Sequence, residues 1–338
     1  MKGAEVEKNF ASAVIYVHNA ENRLAGFLRV ILQLMDQNFE HAEVICVNDH
    51  STDRSLEVIR EISREAAHTS VSVVNMSYFH GQELAMNAGM DLAIGDFVFE
   101  FDNTVLDFDP SVVMEIYRRS LEGYDIVSAV PDRRERFSSH LFYHLFERYS
   151  EIPCSMSTES FRVLSRRVIN RISSMNKTVP YRKALYANCG LQTDSIRYAV
   201  QPVVEMEDWQ NENGAKISEG AKAETSQTSR LQEDPQERHY RFSLAADSLI
   251  LFTAVGYRFS MTMTVAMMLV SIFMVLYSVV TYLIYHPVEG WTTTILFLSV
   301  AFFGLFGILT VIVKYLQLLV NMVFRRKHYS FENVEKLV

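Results

Sequence analysis

Across the first half of the chain, short β-branched and aromatic runs alternate with longer stretches whose apolar residues recur at helical spacing. Residues 13–17 (AVIYV), 43–47 (EVICV), 71–75 (VSVVN), 97–101 (FVFEF) and 125–130 (DIVSAV) predict strands. Between them, residues 22–37, 53–67 and 82–93 predict helices, with Leu56, Ile59 and Ile62 along one face of the second. Strands that alternate with helices imply a mostly parallel sheet covered on both faces. Such a sheet binds its ligand outside the carboxyl ends of the strands, where Asn19, Asp49 and Asp102 fall.

The pattern changes after residue 204. Residues 205–239 are polar and nearly free of aliphatic side chains, which predicts a linker, and residues 240–258 start as an amphipathic stretch suited to a membrane interface. Residues 259–285 and 291–313 then run without a charge, each longer than the roughly 20 residues that cross a bilayer core. Arg258 precedes the first run; Lys314, Arg325, Arg326 and Lys327 follow the second. The loop between them has no Lys or Arg, so both ends are expected on the cytoplasmic side. The chain therefore divides into a domain over 1–204, a linker over 205–239, a juxtamembrane helix over 240–258, a hairpin over 259–324 and a tail over 325–338.

Charge and cysteine usage narrow the classes. A net charge of −8 argues against a general nucleic-acid binder, whose footprint is a basic domain. Cys46, Cys154 and Cys189 lack metal-ligand spacing and fit a reducing compartment. Residues 1–10 (MKGAEVEKNF) contain no apolar core of a signal peptide.

The candidate chemistry lies at strand exits. The apolar run FVFEF ends on the carboxylate of Asp102, which can meet a polar or cationic ligand, although position alone also allows a solvated loop acid. In VNDHSTD, Ser51, Thr52 and Asp53 suit the start of the next helix, whereas Asp49 precedes them at the strand tip, able to accept hydrogen bonds from a base or ribose. Asp109-Pro110 reads as a helix start.

These segments come in a telling order: SAVIYVHNAENRL, VNDHSTD, HGQELAMNAGMDLAIGD leading to Asp102, and GYDIVSAVPDRRERF with SFRVLSRRV. Together they resemble the family 2 glycosyltransferases of the GT-A fold. Within that family the chain is most similar to the membrane-anchored polyprenyl-phosphate glycosyltransferases, the dolichol-phosphate mannose synthase-like group. The resemblance runs from Ser12 to about Phe324 and implies a GT-A (Rossmann-like), mostly parallel α/β domain followed by a two-helix transmembrane hairpin. It further implies an inverting hexosyltransferase that moves a sugar from a nucleotide-sugar donor to undecaprenyl or dolichyl phosphate at the cytoplasmic membrane face, in chains that assemble as homo-oligomers up to a tetramer.

Carried over position by position, the resemblance assigns donor contacts to Val17, Asn19, Glu21 and Asp49, and the glycine-led turn near the nucleotide to Gly81 and Gln82. Asp102 and Thr104 stand at the two acids of the D-x-D motif, which would hold Mg or Mn. Arg162 stands in the catalytic Phe-Arg pair, and Arg133, Arg134 and Arg136 stand where acceptor phosphate is bound. Three departures matter: Thr104 replaces an acid, Leu106 replaces a polar residue, and Ser160 stands where an acid commonly precedes Phe161. Magnesium commonly takes one or two carboxylates together with substrate phosphates, so one carboxylate is a poor anchor, and the loss matters because charge neutralisation at the leaving diphosphate is the larger catalytic need. A lipid phosphate, largely ionised near neutral pH, needs little help from a base. The missing acids also raise an alternative, a weakened or inactive relative that binds nucleotide, lipid or a membrane partner.

Overall fold

The computed structural model describes residues 6–132, 159–175, 190–201 and 330–338, with isolated positions between 182 and 319. Each predicted strand and helix of the first half forms close to its expected bounds. The strands are β1 (Ala11–Val17), β2 (Ala42–Asn48), β3 (Ser70–Met76), β4 (Phe97–Phe101) and β5 (Ile126–Pro131), and the helices between them are α1 (Glu21–Asn38), α2 (Ser55–Ile62) and α3 (Gln82–Leu92). Helix α4 (Ser111–Leu121) follows the Asp109-Pro110 start, where Asp109 accepts the Ser111 N–H at 2.8 Å. Three further strands, β6 (Phe161–Ser165), β7 (Thr193–Tyr198) and β8 (Phe331–Lys336), and helix α5 (Arg166–Met175) complete the described elements.

All eight strands join one sheet in the order β7-β5-β6-β4-β1-β2-β3-β8. Only β6 and β8 run against the others. Helices α1, α2 and α4 cover one face through Leu24, Phe27, Ile59 and Ile116; α3 and α5 cover the other through Ala85, Met86 and Val168. Helix α3 lies so close to the sheet that a Cβ on Gly89 would sit 2.5 Å from Val14 and 2.6 Å from Val47. The chain steps from β1 to β2 and β3, then returns to pair β4 on the other side of β1. That reversal opens a crevice between the carboxyl ends of β1 and β4, the usual ligand position in such sheets.

Residues 331–336, read above only as part of a tail, pair antiparallel with β3 at the edge of the sheet. An Arg60–Glu335 contact of 2.7 Å clips β8 to α2. Arg133, Arg134, Arg136 and the 205–239 linker lie outside the described residues, as does most of the two apolar stretches. Among the described residues no helix is long and apolar enough to cross a membrane. The described positions within those stretches are helical, and several carry exposed apolar side chains, including Leu269, Phe273, Leu305 and Leu309. Gly304 of the second stretch lies against Met267 of the first, where a Cβ would meet its sulfur at 2.7 Å.

Candidate functional site

The tips of β1 and β2 brace each other. Val17 O accepts the Asp49 N–H at 2.9 Å, Asn19 Oδ1 accepts the Thr52 N–H at 2.9 Å, and Glu21 Oε2 accepts the Arg54 N–H at 2.9 Å. Asn19 and His50 hold positive φ values of 45° and 53°, an unusual backbone state that this bracing fixes. Asp53, read as belonging to one helix start, serves two: its carboxylate accepts the N–H groups of Ser55 in α2 and Glu21 in α1, each at 3.0 Å.

Asp49 is not the open acceptor that its place at a strand tip suggests. Its side chain is 0% exposed and accepts the His80 and Gly81 N–H groups at 2.8 Å each and the Tyr16 hydroxyl at 3.1 Å. Burial pushes its carboxyl above the usual range, against these hydrogen bonds and the nearby His18. The visible work of Asp49 is to hold the turn that enters α3. Gly81 takes φ +82° there, and a Cβ on it would fall 2.2 Å from the ring of Tyr240, at the start of the juxtamembrane segment. Tyr240 meets Phe79 edge-on, and its hydroxyl oxygen accepts the Glu83 N–H; burial raises the pKa of the phenol.

The second centre lies across the crevice. Because β6 runs against β4 with Glu100 opposite Arg162, the start of β6 brings its arginine to Asp102 at the end of β4. Arg162 donates from Nη2 to Asp102 Oδ2 at 2.6 Å, from Nη1 to Glu100 at 2.8 Å and from Nε to Glu159 at 3.1 Å. Arg182 donates from Nη2 to the other Asp102 oxygen at 2.6 Å, and its backbone N–H reaches Glu83 at 2.8 Å. Tyr186 donates to Glu100 at 2.6 Å. Burial alone would lower the pKa of both guanidinium groups. The surrounding acids, Asp102 first for Arg162 and Glu83 first for Arg182, more than reverse that effect and keep both charged. Burial raises the carboxyl of Glu83.

This arrangement revises two expectations. Arg162, expected from the Phe-Arg pair to act on substrate, is 1% exposed and directs its three nitrogens to three carboxylates, so it positions Asp102. Arg166 donates Nε to the Gly95 carbonyl at 2.8 Å. Thr104 is buried, and its hydroxyl accepts a hydrogen bond from Arg23 Nε at 2.9 Å. The pair expected to hold a metal does not fit one as it stands: both Asp102 oxygens face guanidinium groups, and a third guanidinium occupies Thr104. Asp107 is buried and accepts the Tyr198 hydroxyl at 3.0 Å.

Sequence reasoning missed Glu83, Glu100, Tyr186, Arg182 and Arg23. One signal was available for Glu100, an acid inside an otherwise apolar strand, which requires a buried cation.

Comparison with known proteins adds a family to this geometry. The chain is 30% identical over 197 residues to an uncharacterized glycosyltransferase of Synechocystis sp., covering 56% of this chain and 61% of that protein. It is 26% identical over 195 residues to the bactoprenol glucosyl transferase of Shigella phage SfV, covering 55% and 62% of the two chains. It is 30% identical over 145 residues to the undecaprenyl-phosphate 4-deoxy-4-formamido-L-arabinose transferase of Edwardsiella ictaluri, covering 41% and 44%. The match thus spans about three fifths of the length of the first two relatives and less of the third. Residues 12–173, which include Asp49, Asp102 and Arg162, match Glycosyl transferase family 2.

Proposed function

We propose that this chain transfers a sugar from a nucleotide-sugar donor to a polyprenyl phosphate, undecaprenyl or dolichyl, at the cytoplasmic face of a membrane. The observation that carries the proposal is the pairing of the braced β1–β2 loops with the Asp102 cluster at the β1–β4 crevice, within the segment that matches Glycosyl transferase family 2. The acceptor class is supported by relatives named for bactoprenol and undecaprenyl phosphate.

In this reaction a lipid phosphate oxygen attacks the anomeric carbon from the side opposite the leaving group. The sugar inverts and the nucleoside diphosphate departs with the bonding electron pair. The ionised phosphate requires no acid at Ser160 to deprotonate it. The β1 and β2 loops would hold the nucleoside, Gly81 and Gln82 the approach to α3, and Asp102, fixed by Arg162, the sugar side. Arg133, Arg134 and Arg136 would meet the acceptor phosphate. The apolar stretches over 259–285 and 291–313 would form a membrane hairpin and join chains into an oligomer, up to a tetramer.

A second reading, a binding protein with little turnover, is favoured by one observation: both oxygens of Asp102 are engaged by arginine. One assay separates the two. The full-length chain in detergent is mixed with radiolabelled nucleotide sugars and polyprenyl phosphate, with and without Mg²⁺ or Mn²⁺. Label entering the organic phase as lipid-linked sugar supports transfer. Nucleotide binding without any product across the donor panel assigns the chain to the binding role.

A further inference from the structure

Two hydrogen-bond chains run from β8 into the loops expected to hold the donor. The first starts at Asn333, whose Oδ1 accepts from Asn75 Nδ2 at 2.8 Å. Asn75 Oδ1 accepts from Asn48 Nδ2 at 2.9 Å, Asn48 Oδ1 from the Ser51 N–H at 3.2 Å, and Ser51 Oγ from the Asn19 N–H at 3.1 Å. The second starts at Ser330, whose N–H donates to His80 Nε2 at 3.2 Å; the His80 N–H in turn donates to Asp49 Oδ1 at 2.8 Å. We infer that β8, the strand that follows the two apolar stretches, is part of the donor site, with Asn333 and Ser330 as positioning residues for the nucleotide loops of β1, β2 and α3. The inference rests on the donor site proposed above.

Sheet register makes the first chain continuous. Asn48 stands opposite Asn75, and Asn75 opposite Asn333, so three amides on neighbouring strands meet at the carboxyl ends of β2 and β3. Asn48 and Asn75 are buried, and a buried amide keeps its orientation only while its neighbours satisfy it. Without Asn333 the Asn75 amide loses an acceptor, and the orientation that holds Asn48, and through it Ser51 and Asn19, is no longer fixed. Asn19 keeps φ at 45°, a backbone state that needs such support.

The second chain is set at both ring nitrogens of His80. The Tyr78 carbonyl, which can only accept, lies 2.5 Å from Nδ1, so Nδ1 carries the proton and Nε2 is the acceptor for Ser330. The His80 side chain is 1% exposed, and Tyr78 stacks on its ring at 3.9 Å. Ser77 ties the same corner, its N–H and its hydroxyl each donating to the Ser330 carbonyl at 3.1 Å. Within β8, by contrast, Phe331 and Val334 are exposed. The specific contacts of the strand are therefore polar, and they lie at the donor end of the sheet.

The test uses the full-length chain in detergent and a panel of nucleoside diphosphates (UDP, GDP, ADP, CDP and dTDP) in buffer containing Mn²⁺, with affinity and binding stoichiometry measured by calorimetry. Asn333→Leu and Ser330→Pro each remove one link and should weaken the tightest diphosphate about threefold to tenfold, the size of one neutral hydrogen bond. Asn333→Asp keeps an acceptor for Asn75 and should recover most of the loss. Stoichiometry should stay unchanged, because a displaced loop lowers affinity in every molecule, whereas misfolding removes whole molecules from the binding population. Arg60→Ala releases the far end of β8 without touching either chain and should leave affinity within about twofold.

Unchanged affinity in either variant removes that residue from the inference; unchanged affinity in both overturns it and leaves the donor site standing. So does a fall in stoichiometry at constant affinity, or a loss in Arg60→Ala as large as theirs, because β8 would then only stabilise the sheet. An Asn333→Asp chain no better than Asn333→Leu removes the amide chain from the inference. Failure of every diphosphate to bind the wild-type chain overturns the donor site itself, and this inference with it.

Discussion

Asp49 and Asp102 sit at the tips of parallel strands on either side of β1, yet the protein treats them oppositely. Asp49 is surrounded by neutral donors, two backbone N–H groups and a tyrosine hydroxyl, and burial raises its pKa. Asp102 is matched by two formal positive charges. The difference separates two uses of a buried acid: Asp49 fixes the shape of a turn, whereas Asp102 completes a charge network.

The largest effect should come from breaking that network. Asp102→Ala leaves two buried guanidinium groups short of a partner and should lower unfolding free energy by about 3–5 kcal/mol, the usual result of removing one member of a buried ion pair. Urea unfolding followed by circular dichroism reads the change. A loss below 1 kcal/mol would show that the two arginines find other partners and that Asp102 holds no network together.

Gly81→Ala should come next. An alanine at φ +82° is strained by about 1–2 kcal/mol, and its methyl would collide with the Tyr240 ring. Repacking in response typically adds about 1–3 kcal/mol. Undiminished stability, with Tyr240 still protected in a chemical-modification assay, would mean that the turn is not braced as described.

Asp49→Asn should cost about 1–3 kcal/mol, because the new amide faces N–H groups and satisfies only part of them. The pH dependence sharpens the contrast with Asp102. Asp49 holds its proton more tightly in the folded chain than at the ordinary value of 3.8. Its contribution to stability is therefore full below that value and declines as pH rises through the folded pKa. Wild type should lose its advantage over Asp49→Asn across that interval, as measured by unfolding at a series of pH values. An advantage that grows with pH would mean that the fold stabilises Asp49 in its charged form.

The smallest effect is expected at the sheet edge. Arg60 and Glu335 are 43% and 35% exposed, so Arg60→Ala should cost no more than about 1 kcal/mol. A larger loss, measured by the same unfolding, would make the β8 clip a determinant of stability comparable with the two acids.

Much of this architecture was legible in the sequence, for reasons that also explain what was not. The runs AVIYV, EVICV, VSVVN and FVFEF are buried parallel strands, and a strand buried on both faces shows itself as near-continuous hydrophobicity. The run FENVEK of β8 is largely exposed, so its place depends on backbone hydrogen bonds and leaves little pattern in its side chains. The bounds of α3 were read closely because Gly81 marks its start, and Asp109-Pro110 marked α4 likewise.

At the site, position was easier to read than direction. The sequence put Asp49 and Asp102 at strand tips, but only tertiary packing decides whether a carboxylate there faces solvent or turns inward. Arg182 and Glu83 are 99 residues apart, and nothing in local periodicity predicts their contact. Arg23 was hidden in a different way. It sits in the first turn of a well-predicted helix, where a charge normally needs no partner.

The return of β8 to β3 has a topological consequence. Its Asn333 closes a side-chain ladder through Asn75 to Asn48, and the Ser330 N–H reaches His80 beside Asp49 at 3.2 Å. Residues 202–329 thus begin and end on one sheet, as a loop with both ends tied to the same post. Any route they take through a bilayer must cross it an even number of times. A single crossing, or three, would put β8 on the opposite side of the membrane from the strand it pairs with.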